Sequence, residues 1–198
     1  MSSSFILVAF YSVHGGTQLL AEALAKGIES VGMEARLRQI PPVTSNLDEQ
    51  VKTVPDTGAP FVQLTDLEEC AGLALGSPTR FGNMSAAVKY FIDQTLPQWL
   101  AGSLIDKPAS VFTSTGSMHG GQESTLLSMQ IPLLHHGMLI CGLPYSEAEL
   151  HSTQSGGTPY GPSHLAVNKT PTLSNEEKTL AFAQGKRLAI IAKKLEAL

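Results

Sequence analysis

Hydrophobic and polar positions along the chain switch repeatedly between two periods. Residues 5–11, Phe-Ile-Leu-Val-Ala-Phe-Tyr, form an unbroken apolar and aromatic run of strand length. Such a run fits a parallel strand buried on both faces. Leu20, Ala23, Leu24, Gly27, Ile28 and Val31 then recur at helical spacing and Gly32 ends the pattern, which predicts a helix over 17–31. Residues 34–40 alternate in polarity and predict a strand nearer the sheet edge. Further buried strands are expected over 71–77, 108–114 and 138–142. Helices are expected over 84–96, with Ala87, Val88, Phe91, Ile92 and Leu96 on one face, and over 122–136. A last helix over 174–197 opens on Ser174-Asn175-Glu176-Glu177, a capping-box pattern. Pro41 to Asp66 holds four prolines and predicts a long loop with at most a short helix. Residues 143–173 predict a second long, surface-lying loop, of a length more often functional than ornamental.

Strands alternating with helices imply a parallel sheet with helices on both faces. The expected fold class is α/β: a three-layer sandwich around a five-stranded parallel sheet in the order 2-1-3-4-5. No repeat, low-complexity tract or linker divides the chain, so a single domain over 1–198 is enough. In that order the switch point lies between strands 1 and 3, and ligands sit there at the carboxyl ends of the strands.

Composition narrows the choice. The chain has 198 residues, 42% hydrophobic and 15% charged, which suits one globular core. Its net charge of −4 is spread out and leaves no basic patch, which argues against nucleic acid as a partner. No stretch approaches the roughly 20 apolar residues of a membrane span, and residues 1–11 lack a basic start and a cleavage site. Membrane insertion is therefore not expected, and a cytoplasmic location is the default. Cys70 and Cys141 are expected to be reduced thiols.

Three loops gather at the expected switch point. The first is Ser12-Val13-His14-Gly15-Gly16-Thr17, between a strand and a helix. Its glycines admit a close-lying anion, Ser12 and Thr17 supply hydroxyls, and the helix start supplies N–H groups. It has neither the lysine of a P-loop nor the dinucleotide fingerprint G-x-G-x-x-G, which leaves a site for a single phosphate group. The second is Ser77-Pro78-Thr79-Arg80-Phe81-Gly82-Asn83. A rigidifying proline, an aromatic, an arginine and polar groups suit the wall of a flat heteroaromatic ring. The third, Ser114-Thr115-Gly116-Ser117-Met118-His119-Gly120-Gly121-Gln122-Glu123, again offers hydroxyls and glycines for close approach.

At these residues the sequence resembles the WrbA family, flavodoxin-like NAD(P)H:quinone oxidoreductases. The matching strings are GSPTRFGNMS at 76–85, FIDQT at 91–95 followed by Trp99, FTSTGS at 112–117, GGQE at 120–123, LLHHGM at 133–138 and GGTPYG at 156–161. They run in order through nearly the whole chain. The resemblance implies a flavodoxin-like domain whose cofactor is FMN, with NADH or NADPH as donor and a quinone as acceptor. It implies that Ser12, Val13, His14, Gly15, Gly16 and Thr17 hold the phosphate and that Pro78, Thr79, Arg80, Phe81, Gly82 and Asn83 flank the isoalloxazine. Ser114, Thr115, Gly116, Ser117 and Gly120 line the ribityl and ring side, and His135 and Trp99 border the space where substrates enter. His135 is cast as a proton donor or quinone-orienting group. The family is typically a homotetramer. Sharing one pocket between donor and acceptor implies ping-pong kinetics.

Two departures from the family stand out. His14 takes a place often held by an aromatic such as tyrosine. The third loop is one residue longer, through Met118-His119. His14, His119, His135 and His136 match no metal-binding spacing, and no metal is expected. Two alternatives are a flavodoxin-type electron carrier, against which the mild charge and the 143–173 segment weigh, and an FMN-dependent binding or scaffold protein.

Overall fold

The computed structural model describes residues 4–44, 54–55, 58–167 and 171–197. Strand β1 (Phe5–Phe10) is buried at every residue. Its alternate side chains feed two separate cores. Phe5, Leu7 and Ala9 join Leu73, Leu75, Val111, Leu126 and Met129 on one face, whereas Ile6, Val8 and Phe10 join Leu20, Leu24, Ile28 and Leu188 on the other. This two-sided burial is what the unbroken apolar run encodes.

The chain continues through α1 (Gly16–Glu29), β2 (Glu34–Gln39), α2 (Leu64–Glu69), β3 (Gly72–Arg80), β4 (Asn83–Met84), α3 (Ala86–Asp93) and α4 (Leu96–Leu100). It then forms β5 (Pro108–Thr115), α5 (Gln122–His135), β6 (Leu139–Ile140), α6 (Glu149–Ser152), β7 (Ser163–Leu165) and α7 (Asn175–Glu196). The parallel sheet runs β2-β1-β3-β5-β6, with β7 also on β5 and β4 on β3. The expected order 2-1-3-4-5 is present, with strands added to it. Helices α1 and α7 cover one face and cross at two glycines. A Cβ on Gly27 would lie 2.0 Å from the Phe182 carbonyl oxygen, and one on Gly185 would lie 2.0 Å from that of Leu24. Cys70 and Cys141 are free, buried thiols, and burial pushes the Cys70 thiol up to about 11.

Four local expectations change. The helix expected over 84–96 is two helices, and Asn83–Met84 is strand instead. Pro97 cannot extend an earlier helical ladder but fits the first turn of a new one, so α4 starts afresh around it. The expected second loop is largely strand: β3 runs on to Arg80 and turns back as an antiparallel hairpin, Arg80 opposite Asn83. Both turn residues, Phe81 (φ 52°) and Gly82 (φ 77°), have positive φ, the signature of a type I′ hairpin.

The fifth strand is split. β6 pairs with the start of β5 and β7 with its end, Ser114 opposite His164. The 143–173 segment is accordingly not all on the surface, since Gly156, Thr158 and Gly161 through His164 are buried. Burial is tolerable because its backbone is paired: Leu143 N–H bonds the Pro159 carbonyl, Thr113 N–H that of Pro162, and Gly157 N–H the Ser163 hydroxyl. Residues 45–53 and 56–57 of the expected 41–66 loop lie outside the described residues; α2 closes that stretch.

Candidate functional site

Strands β1, β3 and β5 end side by side, and each releases one of the three loops there. The first loop leaves β1 and enters α1 through Gly15, whose φ of 91° is left-handed. No side chain occupies the usual cap position. Ser12 Oγ instead reaches back, accepting from Gly15 N–H at 3.1 Å and from Gln18 N–H at 3.4 Å. The N–H groups of Gly16 and Thr17 stand at the helix start, where the chain offers no intrahelical acceptor. Free N–H groups and the helix dipole favour negative charge there.

Gly16 is the contact between the first loop and β5. A Cβ at this position would lie 2.6 Å from Ser114 Oγ and 3.0 Å from His164 Cδ2. A side chain here would push on both, so glycine suits the close approach of the α1 start to the end of β5. The second and third loops meet in the same way: a Cβ on Gly121 would lie 2.7 Å from Gly82 Cα. Contacts at Gly16 and Gly121 thus bring three loops from distant parts of the sequence together at one end of the sheet.

The expected site residues divide into groups. Ser12, Gly15, Gly16, Thr17 and Ser114 surround the helix start, while Val13 and His14 are exposed at the tip of that loop. Gly116 opens on empty space. Thr115 Oγ1 donates to the Ser117 carbonyl and Gly120 N–H bonds the same oxygen, so Ser117 and Gly120 shape the third loop. Pro78 is buried in β3 opposite Ser114. Thr79 Oγ1 lies 3.3 Å from Thr113 Oγ1 and 3.1 Å from Thr125 Oγ1, within the fold.

Arg80, Phe81 and Asn83 sit elsewhere. With Trp99, Ile131, Pro132, His135 and His136 they line an open groove of ≈ 950 Å³. Trp99 Nε1 donates to the backbone carbonyl of His135 at 2.9 Å. His136 is buried, with Nε2 2.8 Å from Thr95 Oγ1. Thr95 Oγ1 already donates to the Ile92 carbonyl, so it accepts from His136 Nε2–H. Burial first, and the neighbouring His135 second, lower the His136 pKa. His135 and His136 therefore differ: the first faces the groove and the second braces α5 against the end of α3.

Sequence reasoning missed one buried pair beside the first loop. His164 on β7 and Glu177 on α7 are 1% and 2% exposed, and His164 Nδ1 lies 2.8 Å from Glu177 Oε2. The same carboxylate accepts from Gly156 N–H, Leu165 N–H and Ser174 N–H. Burial raises its pKa, but the bonds from His164, Leu165 and Ser174 outweigh burial and hold it at about 2. Glu177 was legible only as the third residue of a helix cap. Nothing local in the sequence marks His164.

Comparisons with known proteins bear on the fold and the family. The family described as NADPH-dependent FMN reductase matches residues 5–148. The NAD(P)H dehydrogenase (quinone) of Solidesulfovibrio magneticus is 38% identical over 203 residues, covering 97% of this chain and 99% of that protein. A flavodoxin, WrbA-like protein from Agrobacterium tumefaciens shares the fold at TM-score 0.70 and 24% identity, covering 97% of this chain and 99% of that one. Oxidised flavodoxin 1 from Bacillus cereus does so at TM-score 0.62 and 18% identity, over 94% and 98%. The chain belongs to the NADPH-dependent FMN reductase family.

Proposed function

We propose that this protein is an FMN-dependent NAD(P)H:quinone oxidoreductase. The carrying observation is the close approach of the three loops at one end of the sheet, Gly16 against Ser114 and Gly121 against Gly82. The residues present fit FMN. The α1 start offers N–H groups and the Ser12 hydroxyl to one terminal phosphate, and a side chain at Gly16 would fill the cradle. FMN, when bound, supplies a ring that takes up and passes on a hydride.

The chain's own residues bind, orient and enclose. Ser12 and the Gly15–Thr17 backbone hold the phosphate end. Ser114, Thr115 and Gly116 flank the middle of the cofactor, and the Arg80–Asn83 hairpin walls the ring end. Phe81, fully exposed at the hairpin tip, and Trp99 give the groove flat apolar surfaces on which a nicotinamide or a quinone can stack. His135, exposed beside Trp99, orients the quinone and supplies a proton as it is reduced. Donor and acceptor occupy this groove in turn, so NAD(P)+ leaves before the quinone enters. Leu96 and Ile131 line the same groove, and with the exposed Leu100 and Leu134 of the same two helices they support a homotetramer that buries them. The free thiols at Cys70 and Cys141 support a cytoplasmic setting.

The deciding experiment follows NADH and NADPH oxidation with benzoquinone, with and without added FMN. The reading expects FMN-dependent turnover with parallel lines on a double-reciprocal plot. Absence of a rate with both nucleotides defeats the enzyme reading; crossing lines defeat the shared groove.

A further inference from the structure

We infer that His164 is a ligand of the cofactor phosphate, held in place by Glu177. The inference rests on the reading that FMN phosphate sits at the start of α1. Two observations carry it independently of the helix end. His164 is 1% exposed, yet its Nε2 has no hydrogen-bond partner in the fold. A buried ring nitrogen without a partner carries a desolvation cost that a ligand can relieve. The ring edge bearing that nitrogen is turned to the cradle, because the adjacent Cδ2 is the atom a Cβ on Gly16 would meet at 3.0 Å.

The protonation pattern follows from the neighbours. Glu177 is ionised near neutral pH and can only accept, so Nδ1 of His164 carries a proton and donates to it. The phosphate dianion is also only an acceptor. Contact therefore requires a proton on Nε2 as well, which makes the ring an imidazolium between two anions. The groups facing the ring are Glu177 from α7, Ser114 opposite it on β5 and the uncharged Gly16 from α1. Among the described residues, Glu177 is the ion-pair partner of His164.

The test titrates apoprotein with FMN and with riboflavin, which lacks the phosphate, by flavin fluorescence. His164→Asn keeps a donor near the Nδ1 position for Glu177 and deletes Nε2. Its FMN affinity is expected to drop about 10- to 100-fold, the range of one charge-assisted hydrogen bond, with riboflavin affinity unchanged. His164→Gln, which returns an N–H near the Nε2 position, is expected to recover part of the loss. Unchanged FMN affinity in His164→Asn overturns the inference, as does an equal loss for FMN and riboflavin, which marks a structural role. Failure of the wild-type apoprotein to bind FMN would instead remove the reading beneath it.

Discussion

The indole of Trp99 is tied to the backbone of His135 by a 2.9 Å hydrogen bond from Nε1 to the carbonyl oxygen. This bond joins α4 to the last residue of α5 and fixes the aromatic plane relative to the exposed imidazole. Trp99→Phe keeps an apolar ring and loses the donor. It is expected to raise the quinone KM severalfold while FMN affinity stays unchanged. Steady-state kinetics beside a flavin titration read the two effects separately.

Gly16→Ala tests the cradle. The added methyl would lie 2.6 Å from Ser114 Oγ and 3.0 Å from His164 Cδ2, so these side chains must shift where the first loop meets β5 and β7. We expect FMN affinity to fall by about a hundredfold or more while the far-UV spectrum stays native, because the site lies at the rim of the sheet and not in its core.

Glu177 makes acid stability predictable. Its folded-state pKa of about 2 lies below the ordinary 4.5, so the unfolded chain binds its proton first as pH falls. The stability it contributes, about 3 kcal/mol, is complete above pH 4.5 and is lost as pH falls from there through about 2. Glu177→Gln turns an amide donor toward groups that already donate and is expected to cost about 3 kcal/mol at pH 7. Denaturant melts should show the gap between wild type and variant closing as pH approaches 2.

His136 acts with the opposite charge and in a higher window. Its pKa is lowered from 6.5, so the folded state favours the neutral ring while the unfolded chain takes up a proton. Its contribution is present above pH 6.5 and is lost as pH falls below it. His136→Gln can keep an N–H near Thr95 without titrating. The variant is expected to show a shallower fall in Tm between pH 7.5 and 5.5 than wild type.

The parts of this fold that burial alone determines are legible in the sequence. The Phe5–Phe10 run and the spaced Leu20, Leu24 and Ile28 announce a doubly covered strand and its helix, because water exclusion writes itself into local periodicity. The first and third loops were legible for a different reason: glycines and hydroxyls cluster where their strands stop. The Arg80–Asn83 hairpin was not, since Phe81 accepts a positive φ that favours glycine. Nor was β7, whose Ser163 and His164 are polar and owe their strand to the β5 ladder and to Glu177. Those contacts join segments far apart in sequence, and no window of neighbouring residues contains them.

The split last strand also shapes how copies of this protein can meet. Along one border the sheet ends in β6 and β7, runs of two and three residues separated by chain that leaves the sheet. On the other border β2 carries Arg36 and Arg38, both drawn to Asp66, and its end is occupied by the 60–62 segment through bonds at Gln39. Among the described residues, neither border offers a long bare ladder for a foreign strand. Copies of this protein are therefore expected to meet through the exposed apolar residues of α4 and α5, among them Trp99, Leu100 and Ile131, and not by pairing strands.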